Sequence, residues 1–259
     1  MSIKTPKLVL YRGWLDSGKH VWSPYVVKLE ARLRFAGISY DTRAGSTQTA
    51  PKGKIPYMEI SEDDAFTPTS LGDSTLIIKH LTERNVLPDI NAGLRPTNRA
   101  HDLALRALME EKLYFYHARE RWIENYYTMR DHILSSLPHP VKVVVGLLIY
   151  GKTTQMLHAQ GTGRYTGDEF SSFRHEIWEN INDLLGASKS GQKDNEPFWV
   201  LAGKEPTEAD CTVFGFIVSV LVCTAAPNSR ALLKEFPIIL EYARRIHDRY
   251  FPDYTKWSE

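Results

Sequence analysis

Two short stretches of this 259-residue chain combine residue types that can hold a small anionic peptide. In the first, Lys54-Ile55-Pro56 leads into an alternating segment that ends at Ile60, which predicts a strand with a proline at its entrance. In the second, Asp73-Ser74 runs directly into the apolar-periodic segment 75–84, which predicts a helix capped by Asp73 or by Ser74. A free strand edge offers backbone groups, and a helix start offers N–H donors to a carboxylate.

A second helix start lies earlier in the chain, at Ser23-Pro24. Serine is a favoured capping residue, and proline is favoured at the first helical position. Apolar residues at helical spacing continue to Ala36, and Gly37 is expected to end the helix. These residues therefore predict a helix whose positive dipole end lies at Ser23.

Composition narrows the class of protein. Lys and Arg number 32 against 31 Asp and Glu, so the chain lacks the basic surface that nucleic-acid binding needs. The only cysteines, Cys211 and Cys223, provide neither a disulfide framework nor zinc spacing, and the nine histidines show no paired metal-ligand pattern. We therefore expect a cytoplasmic protein without a metal, and the first residues show no signal-peptide core.

Two further segments carry predictions about burial. The longest apolar run, Val141 to Tyr150, is about half the length of a membrane span, so a buried helix is expected and membrane insertion is the minor alternative. The charged run Arg119-Glu120-Arg121 is expected to form a solvated helix face.

The order of predicted elements divides the chain in two. The first part reads strand, helix, strand, strand, strand, helix, which is the βαβ-ββα order of a thioredoxin-like domain. Its predicted elements span residues 7–14, 24–36, 38–42, 55–60, 66–71 and 75–84. Residues 85–95 contain several proline, asparagine and glycine residues and are therefore predicted to form a linker. The rest of the chain is expected to be helical, and its last helix is predicted over 231–250. We predict a thioredoxin-like domain at 1–90 and an all-helical domain at 91–259.

This two-domain plan, together with four motifs in order, resembles the glutathione S-transferase superfamily. The motifs are Ser23-Pro24-Tyr25, Lys54-Ile55-Pro56, Asp73-Ser74, and a folding motif with a capping box at Thr207–Asp210. Within the superfamily, 23–30 and the glycine-rich stretch 157–164 are similar to the failed axon connections and metaxin-like branch. Val26 stands where that branch often has a cysteine, so the chain has no Cys-x-x-Cys redox pair.

The resemblance implies glutathione as co-substrate and assigns roles to these residues. Ser23 is expected to donate to the glutathione sulfur, the alternative being a plain helix cap. Ile55-Pro56, with a cis proline, would pair with the cysteinyl part, and Asp73-Ser74 would hold the γ-glutamyl end. Lys54 would pair with the glycyl carboxylate, the alternative being a solvated lysine.

Other side chains are candidates for the pocket wall. Tyr11 and Tyr25 are rival hydroxyl donors, the alternative for each being a core or wall residue. In the loop before Ser23, Trp14 and Trp22, with Lys19 and His20 between them, are expected to border the pocket or else to pack the loop down.

We therefore expect a glutathione transferase-like enzyme that activates the thiol of glutathione for attack on a small apolar electrophile. Its expected role is detoxification. Serine at position 23 favours conjugation over disulfide exchange, since serine cannot form a mixed disulfide. The alternative is a non-catalytic interaction protein of metaxin type at the mitochondrial outer-membrane surface, with a membrane or protein partner. A homodimer is expected only because dimers are common in the superfamily.

Overall fold

The computed structural model describes residues 6–14, 16–61, 67–190 and 196–258. Its first part follows the predicted order and consists of β1 (Lys7–Tyr11), α1 (Pro24–Phe35), β2 (Asp41–Arg43), β3 (Tyr57–Ser61), β4 (Thr69–Gly72) and α2 (Ser74–Glu83). The predicted thioredoxin-like fold is confirmed.

These four strands form one mixed sheet in the order β2-β1-β3-β4. Strand β1 is parallel to β2 and antiparallel to β3, and β3 is antiparallel to β4, with Tyr57 opposite both Tyr11 and Gly72. Alternate apolar side chains of β1 and β3 are buried against α1 and α2. The register places the start of β3 beside the end of β4, and the amide of Asp73 donates to the carbonyl of Pro56 at 3.3 Å. The two stretches that the sequence predicts to bind a peptide therefore meet.

Strand and helix boundaries differ from the predictions at several ends. The first strand ends at Tyr11 instead of Trp14, and β2 begins at Asp41 because Ile38 and Tyr40 pack against the core as part of the connection. The predicted start of β4, Phe66, lies outside the described residues. The predicted helices at Ser23 and Asp73 are confirmed as α1 and α2.

The second part is helical. Its helices are α3 (Pro96–Ala107), α4 (Tyr114–Arg119), α5 (Tyr126–Ile133), α6 (His139–Gln160), α7 (Gly167–Lys189), α8 (Glu208–Val222), α9 (Pro227–Lys234) and α10 (Pro237–Tyr250). Two π-helical segments, Leu108–Leu113 and Glu120–Glu124, flank α4 and make 96–124 continuously helical. The single helix predicted over 231–250 is wrong, because Pro237 starts a new helix after a break. The predicted boundary at residue 90 stays a prediction.

Helix α8 forms the centre of this helical part, with every residue from Ala209 to Leu221 buried. Its start is the predicted capping box: Asp210 accepts from the amide of Thr207 at 2.8 Å, from the amide of Val200 at 2.7 Å and from the hydroxyl of Tyr242 at 2.9 Å. The hydroxyl of Thr207 donates a fourth hydrogen bond to Asp210, at 3.0 Å. These four bonds compensate the burial of the carboxylate.

Two predictions about burial are wrong. The apolar run on α6 is not buried as a whole: Val144, Leu147 and Leu148 are 59%, 58% and 61% accessible, because only the opposite face, at Gly146, packs against α5. The supposedly solvated Glu120 and Arg121 are buried instead. Glu120 forms a buried ion pair with Arg174 at 2.6 Å, which compensates the removal of both charges from water.

None of the described helices is by itself long and apolar enough to cross a bilayer. Only α8 and α9 taken together meet that test, and they are bent by 115°.

Candidate functional site

Two adjoining cavities open where the entrance of β3 and the start of α1 face α4 and the two π-helical segments that flank it. The first, which we call the peptide cavity, has a volume of about 350 Å³ and is lined by Thr47, Gly53, Lys54, Pro56, Asp73, Ser74, Glu110 and Glu111. The second, the aromatic cavity, has about 150 Å³ and is lined by Trp14, Trp22, Ser23, Pro24, His117, Ala118, Arg121, Trp122 and Met129. Three residues line both: Tyr25, Ile55 and Tyr114. The two cavities are therefore neighbours along one groove.

The entrance of β3 forms one wall of the peptide cavity. The Ile55–Pro56 peptide bond is cis. Within the described residues neither the N–H nor the carbonyl of Ile55 has a hydrogen-bond partner, because the ladder with β4 begins only at Tyr57. Lys54 is exposed beside it and brings a positive charge to the same cavity. This wall can therefore pair with an extended peptide and attract a carboxylate.

The start of α2 forms the adjoining wall, and its geometry shows which residue caps the helix. Asp73 is the cap: its Oδ1 accepts from the amides of Thr75 at 3.0 Å and Leu76 at 3.2 Å. Its φ of 83° lies in the left-handed region that non-glycine residues rarely adopt. Ser74 is buried at the first helical position, and its N–H has no partner among the described residues. That N–H, at the positive end of the helix dipole, is a ready donor to an anion.

Two glutamates that the sequence analysis missed complete the peptide cavity. Glu110 and Glu111 come from the first π-helical segment. The Nζ of Lys28 donates to Glu110 at 2.6 Å and to the hydroxyl of Thr75 at 2.9 Å, which ties this segment to α1 and α2. Nothing in the local pattern signals the role, since the two residues look like ordinary helix surface. With Asp73 they form an acidic side that can receive an ammonium group.

Ser23 stands at the head of α1, on the wall of the aromatic cavity next to the shared residues. Its Oγ accepts from the amide of Val26 at 3.4 Å, so the predicted helix cap is present. The Oγ uses only a lone pair in this bond, so the hydroxyl proton remains available. Within the described residues, the hydroxyl of Ser23 donates no hydrogen bond. Capping and donation to a sulfur anion are therefore compatible in one residue.

The rival tyrosines are placed differently. Tyr25 lines both cavities, and its hydroxyl donates to the carbonyl of Glu110 at 3.4 Å. Burial raises the pKa of Tyr25 above its ordinary value, which keeps the phenol protonated. Tyr11 donates to Glu59 at 2.8 Å and stacks on Tyr57, so it lines neither cavity and is a sheet-surface residue instead of a pocket wall.

The residues of the loop before Ser23 pack against two different parts of the protein. Trp14 and Trp22 line the aromatic cavity, and Trp22 stacks on His132 with ring centroids 3.5 Å apart. Lys19 and His20 do not border it. Lys19 pairs with Thr255, and the Nε2 of His20 lies 3.0 Å from the Nδ1 of His247, because the C-terminal residues fold back over this part of the loop.

The aromatic cavity contains a second group that the sequence analysis missed. Residues 114, 117, 118, 121 and 122 all line it, which is the spacing of one helix face. Among them are His117 and Arg121, which are buried. The spacing was readable in the sequence, but the segment looked like any amphipathic helix with charges between apolar residues. Only packing shows which face meets the cavity.

Neither of the two cysteines lines either cavity. Cys211 and Cys223 are buried, and burial raises the pKa of both thiols. In the described ranges, no group of three His, Cys, Asp or Glu side chains could hold a metal ion.

The chain matches proteins of known family. A family model for the glutathione S-transferase N-terminal domain matches residues 24–129. Failed axon connections from Drosophila melanogaster is 24% identical over 252 residues, covering 92% of this chain and 56% of that protein, so the chain spans just over half the length of that relative. Metaxin-2 from Mus musculus is 22% identical over 218 residues, covering 83% of this chain and 76% of that protein.

Solved structures show the same fold. A glutathione S-transferase from Rhodospirillum rubrum superposes with a TM-score of 0.56 at 18% identity, covering 97% of this chain and 94% of that one. A glutathione transferase from Burkholderia graminis, solved with two glutathione molecules bound per subunit, superposes with a TM-score of 0.55 at 13% identity, covering 95% and 85%. The thioredoxin-like part and the helical part are those of the glutathione S-transferase fold, residues 24–129 match the N-terminal domain of that family, and the chain is similar to failed axon connections and metaxin-2.

Proposed function

We propose that the chain binds glutathione in the peptide cavity and activates its thiol for attack on a small apolar electrophile in the aromatic cavity. Glutathione is the co-substrate, and no metal takes part. The proposed role is that of a glutathione transferase-like enzyme in the cytoplasm that conjugates reactive small molecules, as in detoxification.

One observation carries the proposal: the two cavities adjoin at residues that both share. Glutathione is a peptide with two carboxylates and one ammonium group, so it needs backbone pairing and charges of both signs. The unpaired backbone of Ile55 and the free N–H of Ser74 suit the cysteinyl amide and the γ-glutamyl carboxylate. Asp73 and Glu111 suit the ammonium group, and Lys54 suits the glycyl carboxylate. A thiol held by Ile55 then points towards the cavity that contains Ser23.

Ser23 supplies the chemistry in this proposal. A free thiol titrates near pH ~8.5, so attack at neutral pH requires a stabilised thiolate. The hydroxyl of Ser23 donates to the sulfur anion, and the positive end of α1 lies behind it. The other candidate hydroxyl, on Tyr25, is held by the carbonyl of Glu110. Since serine forms no mixed disulfide, the expected reaction is conjugation.

A second candidate function rests on a separate observation, the exposed apolar face of α6. Val141, Val144, Leu147 and Leu148 are all at least 47% accessible, and the helix from His139 to Gln160 contains two lysines but no acidic residue. Exposed apolar patches of this kind are typical of interaction surfaces. The second candidate is therefore a non-catalytic interaction protein, for which the metaxin resemblance implies the mitochondrial outer-membrane surface.

Calorimetric titration with glutathione separates the two candidates. The proposed enzyme should bind glutathione with micromolar to millimolar affinity, and Asp73→Ala should weaken binding at least tenfold. Thr166→Ala is the control: Thr166 also caps a helix, by accepting from the amide of Glu169 at the start of α7, but it lines neither cavity. If wild-type protein shows no heat at millimolar glutathione, the enzyme proposal fails and the interaction protein becomes the better account.

A further inference from the structure

A third cavity opens between α1, α2, α3 and the start of α8. It has a volume of about 260 Å³, and its wall combines two lysines, an arginine and two glutamates with an isoleucine and two threonines. None of these residues lines the peptide cavity or the aromatic cavity. The third cavity is therefore separate from both. Its volume lies below the ~300–1,000 Å³ that is typical of sites for drug-sized ligands, which suits a smaller molecule.

Arg106 of α3 presents an unused pair of donors to the third cavity. Its Nε donates to Oδ2 of the buried Asp102 at 2.8 Å, and the other oxygen of Asp102 accepts from the amide of Ala209 at 2.8 Å. The guanidinium is thus held in place, while neither of its terminal nitrogens has a partner among the described residues. Two terminal nitrogens side by side match the two oxygens of a carboxylate. Arg106 can therefore receive a carboxylate without releasing Asp102.

Glu208, the first residue of α8, provides an acceptor in the same cavity. Its Oε1 accepts from Nε of the buried Arg32 at 2.6 Å, which fixes the side chain. Its Oε2 accepts no hydrogen bond in the part of the chain that the structure describes. Glu83 of α2 adds a second carboxylate at the exposed rim, where it lies 3.8 Å from Lys79. An ammonium group in the cavity would therefore find charged acceptors.

Lys28 of α1 forms the inner wall of the cavity, and its side chain is 2% accessible. An ammonium group carries three protons, and the Nζ of Lys28 donates two of them, to Glu110 and to the hydroxyl of Thr75. The third proton has no acceptor within the described ranges. Buried donors without acceptors are uncommon in native proteins, so this proton is a further sign of a missing ligand group.

The charges around the third cavity are balanced in pairs. Each inner charge has one partner of opposite sign, in the pairs Lys28 with Glu110, Arg106 with Asp102, and Arg32 with Glu208. A simple anion would add an unpaired negative charge near the two glutamates, and a simple cation would add an unpaired positive charge near the arginine. Both additions are costly at a partly buried site. A molecule that carries one charge of each sign avoids that cost.

We propose that the third cavity binds a free α-amino acid with a small aliphatic side chain. The carboxylate pairs with the two terminal nitrogens of Arg106, and the ammonium group contacts Oε2 of Glu208. The aliphatic side chain lies against Ile78 of α2, which is 7% accessible and is the apolar residue of the wall. No aromatic residue of the described chain lines this cavity, so nothing there favours a ring. The site is independent of the proposed glutathione chemistry.

A heteronuclear NMR titration of the isotope-labelled full chain with L-leucine tests the proposal. We expect saturable shifts of amide signals from α2 and α3. The affinity for L-leucine should be at least tenfold higher than for 4-methylpentanoate, which lacks the ammonium group, and for 3-methylbutylamine, which lacks the carboxylate. Equal affinity for L-leucine and 4-methylpentanoate would show a simple anion site and overturn the proposal. Absence of saturable shifts at millimolar L-leucine would also overturn it.

Two variants change the third cavity in different ways. Arg106→Lys keeps a positive charge beside Asp102 but loses the paired donors, so L-leucine affinity should fall at least fivefold. Thr82→Phe keeps every charge and places a ring in the cavity, so it should abolish the saturable shifts. Arg99→Lys, which changes an exposed arginine of α3 outside all three cavities, should leave the affinity unchanged. Wild-type affinity in both Arg106→Lys and Thr82→Phe would refute the site.

A further variant distinguishes the third cavity from the peptide cavity, which also presents charges of both signs. Glu111→Gln removes a carboxylate from the peptide cavity alone and should leave L-leucine affinity unchanged. Loss of L-leucine binding in Glu111→Gln, with binding retained in Arg106→Lys, would place the amino acid in the peptide cavity and overturn the proposal. Binding of L-leucine that depends on Arg106, in a protein that fails to bind glutathione, would reject the proposed enzyme and leave this site standing.

Discussion

Gly215 of α8 lies directly against the first turn of α1, where an added Cβ would stand 2.6 Å from the carbonyl oxygen of Pro24 and 2.9 Å from the amide nitrogen of Lys28. Real Cβ atoms do not approach backbone atoms so closely, so only glycine permits this packing. The contact joins the central helix of the helical part to the helix that begins at Ser23. It therefore sets the position of Ser23 relative to the aromatic cavity.

We predict that Gly215→Ala destabilises the protein by about 1–3 kcal/mol, because one of the two helices must shift away. Urea denaturation measures the change in free energy of unfolding. Gly186→Ala is the matched control: Gly186 lies in α7, and an added Cβ there would meet nothing within 4 Å. It should stabilise the protein by about 0.5–1 kcal/mol through the better helix propensity of alanine. Equal effects of the two substitutions would contradict the close approach.

Asp73→Ala should affect stability and binding together. Loss of the two capping bonds to Thr75 and Leu76 should lower the free energy of unfolding by about 1 kcal/mol. In addition, glutathione affinity should fall at least tenfold in calorimetry. The Thr166→Ala control should show a similar loss of stability with unchanged affinity. Unchanged affinity in Asp73→Ala would remove this residue from the binding site.

Ser23→Ala should separate binding from thiol activation. We expect glutathione affinity to change less than threefold, while the pKa of the bound thiol, followed by thiolate absorbance, returns towards ~8.5 and turnover falls ~100-fold. Tyr25→Phe should leave the thiol pKa unchanged, since that hydroxyl is bonded to the carbonyl of Glu110. The reverse pattern, with Tyr25→Phe raising the thiol pKa, would make Tyr25 the activating residue.

Acid should destabilise the protein through His20. Burial, with the nearby charges of His247, Arg12 and Arg34, lowers the pKa of His20 to about 3, while Asp253 opposes this weakly. Between pH ~6.5 and about 3, the unfolded state therefore binds a proton that the native state does not, and stability falls as the pH falls. The expected loss from this one group is about 2 kcal/mol between pH 6.5 and pH 5.

Urea denaturation at these two pH values measures this loss, and His20→Phe should reduce it. The control is His101→Gln, which changes an exposed histidine of α3 and should leave the difference between the two pH values unchanged. A pH dependence that is the same in wild type and His20→Phe would show that other groups cause it.

The α6 surface gives a prediction that is independent of glutathione. Val144→Ser combined with Leu148→Ser should change the free energy of unfolding by less than about 0.5 kcal/mol, because both side chains are mostly exposed. If this face binds a membrane, co-sedimentation with vesicles that resemble the mitochondrial outer membrane should fall at least fivefold. The matched control is Leu157→Ser on the same helix, which is buried and should destabilise the protein instead. Wild-type protein that does not sediment with vesicles argues against membrane attachment through this face.

Helix ends that depend on residues close together in the chain could be predicted from the sequence. Ser23 with Pro24 begins α1 and Gly37, at φ 66°, follows its end, as these residue types predict. The order of strands and helices followed as well, since apolar periodicity is a local pattern. The sequence does not distinguish Asp73 from Ser74 as the cap of α2, because both residue types cap helices; the backbone angles and the hydrogen bonds of Asp73 decide.

Burial and the composition of the cavities required the tertiary structure. The run from Val141 to Tyr150 is apolar enough for a core yet leaves one face exposed, while Glu120 and Arg121 are charged yet lie in the interior. Likewise His117 and Glu111 meet the cavities only because α4 and the π-helical segments pack across the end of the sheet. Sequence alone determined the order of the elements in the first part and the start of a capped helix such as α1, because capping hydrogen bonds join residues a few positions apart. Tertiary structure decided which side chains leave water, because burial depends on atoms contributed by distant segments of the chain.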